Sequence, residues 1–156
     1  MKKIITKNET ETFELGRRLG KKCRGGEVFV LIGDLGAGKT KLLQGLAQGL
    51  GVNARVNSPT FNIMKVYAIK DVGAVKGINT LSRGVNTFCH IDAYRLRSAQ
   101  DLISLGVEEF FNSTDTVTAI EWAEKVKKIW PKKAIIINIE ALDEDRRVIT
   151  IKEKID

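Results

Sequence analysis

Between Val28 and Leu50 the chain carries the pattern that most restricts its fold. An apolar run, Val28-Phe29-Val30-Leu31-Ile32, precedes Gly33-Asp34-Leu35-Gly36-Ala37-Gly38-Lys39-Thr40, after which Leu42, Leu43, Leu46, Ala47 and Leu50 recur at helical spacing up to Gly49 and Gly51. The run predicts a buried strand, and the leucine spacing predicts an amphipathic helix closed by the two glycines. A glycine-rich segment joining them reads as a tight strand-to-helix turn, since glycine adopts backbone angles that a Cβ disfavours. Glycine, four residues, then Gly-Lys-Thr is the phosphate-binding loop pattern, and here it has the flanks it needs.

Polyphosphate carries several negative charges, and the free N–H groups at a helix start, with the positive end of its dipole, form a site for them. With Gly33, Gly36 and Gly38 letting the backbone curl, the candidate cradle runs through Asp34, Leu35, Gly36, Ala37, Gly38, Lys39, Thr40 and Lys41. Lys39 is expected to neutralise the β- and γ-phosphates, and Thr40 to place its hydroxyl on Mg²⁺.

The 156 residues predict a single domain, and 43% hydrophobic with 29% charged residues is ordinary for a globular protein. No apolar run approaches a membrane span, and the basic start Met1 to Lys7 soon meets Asn8, Glu9 and Glu11, which leaves no signal-peptide core. A cytoplasmic protein without membrane contact is expected. Cys23 and Cys89 have no metal-ligand spacing and read as small buried hydrophobes. The net charge of +7 gathers in Lys21, Lys22 and Arg24 and in Lys125, Lys127, Lys128, Lys132 and Lys133, which suits a solvated surface and an RNA-facing patch equally.

Along the chain, Asn8 to Glu11 reads as a helix cap, and Thr12, Leu15, Leu19 and Cys23 follow at helical spacing until Gly25-Gly26. Asn57 to Phe61 is a turn entering a strand from Phe61 to Tyr67; its hydroxyls, Ser58 and Thr60, suit either a switch-like loop or a plain polar turn. Ala68 to Thr87 lacks periodicity and predicts a long surface loop or hairpin. Thr87 to Leu96 is a strand ending in a polar cluster, followed by a helical face of Ala99, Leu102, Ile103, Gly106 and Phe110 with Ser98 as its cap. Thr116 to Trp122 is another strand, feeding a helix with Trp122, Val126, Ile129 and Trp130 on one face and Pro131 as its stop. Ala134 to Glu140 and Val148 to Ile151 flank Asp143 to Arg146 as a C-terminal antiparallel hairpin. Early strands alternate with helices and the last two pair locally, so an α/β fold with a mixed sheet is expected.

A phosphate-binding loop that hydrolyses needs an acid at a neighbouring strand end for Mg²⁺, and a group to orient water. Apolar runs end in Asp92, Glu121 and Glu140, and Glu140 is set aside because it lies in the hairpin. Asp92 and Glu121 stand at strand exits leading to helices, where α/β sheets bind ligands. One would serve magnesium and the other would position water. His90, the only histidine, reads as a structural group, and Trp122 as core.

Four ordered motifs, the loop from Gly33, Ser-Pro-Thr-Phe from Ser58, His-Ile-Asp-Ala-Tyr-Arg-Leu from His90 and Ile-Glu-Trp from Ile120, resemble those of the TsaE family, the bacterial ATPases required to make threonylcarbamoyladenosine in tRNA. The resemblance spans nearly the whole chain. It implies a P-loop NTPase-type three-layer sandwich with a mixed, mainly parallel sheet, using ATP and Mg²⁺. It also implies two partner proteins, TsaD and TsaB, with tRNA reached indirectly through their complex. TsaD performs the transfer, and ATP hydrolysis resets the complex between turnovers.

By the same resemblance Lys39 and Thr40 hold phosphate and Mg²⁺, Glu121 serves the metal and Asp92 supports hydrolysis. Thr60 belongs to a switch-like loop, Trp122 lies near the nucleotide, Arg146 or Arg147 approaches it from the last hairpin, and Asn8 to Thr10 flank adenine. The chain departs from the family at Lys41, where a second Thr is frequent, at Ala123, where Pro usually follows Glu-Trp, and in the long segment from Ala68 to Thr87. Two rival functions share these features: a small-molecule kinase, against which no arginine-dense lid is found, and a nucleotide-gated RNA-binding module, supported only by charge. A GTPase is disfavoured because Asn-Lys-x-Asp is missing.

Overall fold

The computed structural model describes residues 1–58, 62–69 and 84–153. In chain order these form β1 (Lys2–Thr6), α1 (Glu9–Gly20), β2 (Val28–Ile32), α2 (Lys39–Leu50), β3 (Met64–Ala68), β4 (Thr87–Asp92), α3 (Ala99–Ile103), α4 (Val107–Asn112), β5 (Thr116–Glu121), a 3₁₀ segment (Ala123–Ile129), β6 (Ile135–Ala141) and β7 (Arg147–Glu153). The seven strands make one sheet in the order β1-β7-β6-β2-β5-β4-β3. Its four central strands, β6, β2, β5 and β4, run parallel, while β1, β7 and β3 join antiparallel.

Strands buried on both faces need apolar residues in succession rather than in alternation, which is what β2 and β5 supply. Phe29 and Leu31 face one core with Leu15, Leu42, Leu43 and Leu46 of α1 and α2. Val28 and Val30 face the other with Leu102, Val107, Val126 and Trp130. The result is a three-layer α/β sandwich.

Helices α1 and α2 approach backbone to backbone. A Cβ on Gly16 would stand 2.0 Å from the Leu42 carbonyl oxygen, and one on Gly45 would stand 1.9 Å from that of Phe13. Gly20 and Gly49 repeat the arrangement one turn on, at 2.1 and 2.2 Å from Leu46 and Arg17 oxygens. Gly49 is therefore a packing residue inside α2 rather than its stop, which falls to Gly51 at φ 95°. Likewise α1 ends at Gly20, short of the Gly25-Gly26 pair. At its start Asn8 Oδ1 accepts from Glu11 N at 2.8 Å, the expected cap.

Several elements differ from expectation. Strand β1 has only two apolar residues in a row and no alternation, and it exists because β7 offers an open edge, with Lys2 opposite Ile151 and Thr6 opposite Arg147. The expected strand from Phe61 begins at Met64, and Phe61 itself lies outside the described residues. The single helix expected after Ser98 is two, broken where Gly106 takes φ 75°. After β5, Trp122 adopts φ 57°, and 3₁₀ turns kinked at Val126 replace the expected α-helix. Trp130 is extended, as a residue before proline prefers, and its Nε1 donates to Ala123 O at 2.9 Å.

The C-terminal hairpin forms as expected between β6 and β7. β3 and β4 also pair, out to Ala68 and Thr87, so the arms of the long segment are a hairpin; residues 70–83 lie outside the described residues. Both cysteines are buried, and burial pushes the Cys89 thiol up to about 12. Among the described residues no helix is long and apolar enough to cross a membrane.

Candidate functional site

The carboxyl ends of β2, β4 and β5 open on a cavity of about 600 Å³. Register places its groups there: β5 sits between β2 and β4, with Glu121 opposite Leu31 on one side and Asp92 on the other. Below the cavity β2 turns through the glycine loop into α2, and Gly38 takes φ 102° immediately before Lys39. Leu35, Gly36, Gly38, Lys39, Thr40 and Lys41 all line it, and Asp34 and Ala37 do not.

Lys39 is 5% exposed; its Nζ donates to the carbonyl oxygens of Gly33 at 2.5 Å and Asp34 at 2.8 Å and stands 3.7 Å from the Trp122 ring centroid. Burial lowers its pKa, and the nearby carboxylates, Glu121 foremost, pull the other way. Thr40 Oγ1 donates to Glu121 Oε2 at 2.9 Å, and Glu121 Oε1 lies 2.8 Å from His90 Nε2. Asp92 Oδ2 accepts from Ser58 Oγ, and its Oδ1 accepts from Tyr94 N at 2.9 Å. Lysine, hydroxyl and both strand-end acids thus meet on one cavity although up to 82 positions separate them in the chain, from Lys39 to Glu121.

Trp122 is half-buried, packing against the second core and also lining the cavity, so its reading as core holds in part. Its φ is 57°, and its ring lies 4.9 Å from that of Tyr94. Arg147 is not on the main cavity. It lines a small adjoining pocket, and its Nε donates to Ala37 O at 3.0 Å while NH1 donates to the Asp143, Glu144 and Arg146 carbonyls. Arg147 therefore ties the last hairpin to the glycine loop. Arg146 turns to Asp143, at 2.6 Å. Thr60 lies outside the described residues. Glu140 is exposed and does not line the cavity, and His90 is fully buried.

The family profile described as "Threonylcarbamoyl adenosine biosynthesis protein TsaE" matches residues 6–149. This chain belongs to the TsaE family. Similar relatives named tRNA threonylcarbamoyladenosine biosynthesis protein TsaE include that of Treponema pallidum, 33% identical over 149 residues with 96% of this chain and 98% of the relative covered. Another is that of Bacillus subtilis, 34% identical over 145 residues with coverage of 93% and 81%. The crystal structure of Bacillus subtilis YdiB superposes with a TM-score of 0.71 at 30% identity, covering 97% of this chain and 84% of that one.

Within this TsaE fold five cavity groups carried no role in the sequence reading, Asn62 and Ile63 beside β3 and three others. Tyr94 is half exposed over the cavity, with Lys125 Nζ donating to its carbonyl oxygen. Arg95 stands beside it, and Gln44 Nε2 reaches Val56 O at 3.0 Å. Tyr94 and Arg95 sat in plain view within the His90 motif; Gln44 had no signal beyond its place on α2. Lys41, the family departure, pairs with Glu9 at 3.3 Å on the cavity rim.

The donor set fits a magnesium ion. A hydroxyl and a carboxylate oxygen 2.9 Å apart are hard ligands of the kind Mg²⁺ takes. Among the described residues no group of three or more His, Cys, Asp and Glu side chains is placed to hold a metal. Such a site suits an ion whose remaining ligands are phosphate and water oxygens.

Proposed function

We propose that this chain is a single-domain, Mg²⁺-dependent ATP hydrolase that serves threonylcarbamoyladenosine modification of tRNA in the cytoplasm. It hydrolyses ATP in complex with TsaD and TsaB, resets the transferase between turnovers, and meets tRNA only through that complex. The observation that carries this reading is the convergence of Lys39, Thr40, Glu121 and Asp92 on one cavity at the carboxyl ends of parallel strands.

The roles follow from chemistry and position. The amides from Asp34 to Lys41 cradle phosphate at the start of α2, and Lys39 exchanges its carbonyl partners for phosphate oxygens. Thr40 and Glu121 would hold the metal, which would supply positive charge against the phosphate oxygens. Asp92, on the neighbouring strand end, orients the attacking water, and Thr60 contributes a switch-like hydroxyl. Trp122 packs beside the nucleotide, and Arg147 supports the loop through the Ala37 carbonyl.

Hydrolysis measured with the purified chain alone, then with TsaD and TsaB added, tests this. Slow turnover that rises with the partners is expected. Glu121→Ala should lower Mg²⁺-dependent turnover by about 100-fold or more, with a smaller effect on nucleotide affinity. Turnover untouched by that substitution removes Glu121 from the mechanism. A phosphorylated metabolite appearing with ADP would assign a kinase instead.

A further inference from the structure

We infer that His90 is a positioning residue for the Glu121 carboxylate, fixing which of its oxygens faces Thr40. The inference rests on the proposed role of Thr40 and Glu121 as the metal-holding pair. Glu121 is 2% exposed, and among the described residues each of its oxygens has one hydrogen-bond partner: Oε1 lies 2.8 Å from His90 Nε2 and Oε2 accepts from Thr40 Oγ1 at 2.9 Å. The carboxylate is thus suspended between β4 and the start of α2. His90 cannot drift, because its ring is fully buried and stacks on Phe88 with centroids 6.2 Å apart, and Phe88 stacks in turn on Tyr67 at 6.0 Å.

The other ring nitrogen argues that packing is not what the imidazole is for. Nδ1 is buried without a hydrogen-bond partner, one of three such side-chain atoms among the described residues. A half-satisfied polar ring is a poor core filler where Phe or Leu would fit, so the useful atom is Nε2. An unpaired nitrogen is better tolerated as a bare lone pair than as an N–H, which assigns the proton to Nε2 and makes it a fixed donor to Glu121. Without that donor Oε1 is buried and unpaired, and the carboxylate gains by rotating away from Thr40.

The test compares the wild type with His90→Phe, His90→Gln and His90→Asn, each confirmed as folded by circular dichroism and thermal unfolding. Calorimetric ADP affinity is measured with Mg²⁺ and with EDTA, and Mn²⁺ affinity in the presence of ADP is measured by electron paramagnetic resonance. His90→Phe keeps the stacked ring and should weaken metal affinity about 10- to 100-fold, the usual effect of losing a group behind a metal ligand, with metal-free ADP binding unchanged. His90→Gln, whose amide nitrogen can take the place of Nε2, should recover most of the loss. His90→Asn, whose amide nitrogen falls at Nδ1 instead, should not.

Wild-type metal affinity in His90→Phe, or an equal loss in His90→Gln, overturns the inference, as does an equal loss of metal-free ADP binding. If His90→Phe does not fold, the contrast between Gln and Asn decides. A wild-type protein whose ADP affinity ignores Mg²⁺ would instead overturn the reading of Thr40 and Glu121 themselves.

Discussion

Trp122 holds the one positive φ among the described non-glycine residues, and its ring is the surface on which Lys39 Nζ rests. Backbone in that region is costly for a bulky residue and persists where surroundings over-determine it, often at functional sites. Here β5 fixes the preceding residue, and the 3₁₀ turn that follows packs against the second core. A different local economy operates at Asp143, which accepts from Arg146 N at 2.8 Å, Asp145 N at 3.2 Å and Arg146 Nε at 2.6 Å. These donors, the Arg146 backbone N–H first, hold its pKa below the usual carboxylate value. The folded state therefore binds the proton more weakly than the unfolded chain, so this stabilisation is present above pH 3.8 and is lost as pH falls through the depressed value. Asp143→Asn should lower the urea midpoint slightly at pH 7, and the gap to wild type should close on acidification. A gap that stays constant down to the acid limit would rule the charge out.

At the scale of elements, the α1–α2 contact decides where the glycine loop points. α2 begins at Lys39, so whatever seats α2 on the sheet also seats Lys39 and Thr40. The seat is a pair of glycine rows, Gly16 and Gly20 on one helix and Gly45 and Gly49 on the other, that let carbonyl oxygens approach where Cβ atoms would stand. Gly45→Ala gains about 1 kcal/mol of helix propensity but drives a methyl into the Phe13 carbonyl. The net expectation is a loss of about 2 kcal/mol, read as a lower denaturant midpoint with an unchanged slope. An unchanged midpoint would mean that the helices part freely. Because the helices would have to separate, nucleotide affinity should fall as well.

Taken whole, the described residues form a sheet between two helical layers, with a cavity placed where parallel strands end. Binding at that opening should stabilise the fold by mass action. ADP with Mg²⁺ at 100 times its Kd adds about 2.7 kcal/mol, which for a chain of this size is a rise of about 5–10 °C in the unfolding midpoint. Thermal denaturation followed by circular dichroism would show it. Lys39→Ala should remove the shift, and a shift that survives in that variant would place binding elsewhere. The net charge of +7 is compatible with this opening but does not locate it, since neither of the two basic clusters in the sequence lines the cavity.

Strand, loop and helix around Gly33 to Thr40 were legible because each is set by local chemistry: a β-branched run, glycines at a turn, leucines at helical spacing. Asp92 and Glu121 were legible as strand ends for the same reason, and the two parts of the last hairpin declared themselves by a polar turn between apolar runs. What local pattern could not supply was company. That Lys39 would lie on Trp122, that His90 would take one oxygen of Glu121, and that β1 would pair with β7 depend on contacts between residues far apart in the chain. Gly45 and Gly49 make the same point, since a glycine in a helix looks like a weakness until the neighbouring carbonyl is placed against it. Periodicity reports which way a residue faces within its own element, whereas the burial, hydrogen bonding and charge that give it a chemical role come from its neighbours, and those are set by which strands lie side by side in the sheet.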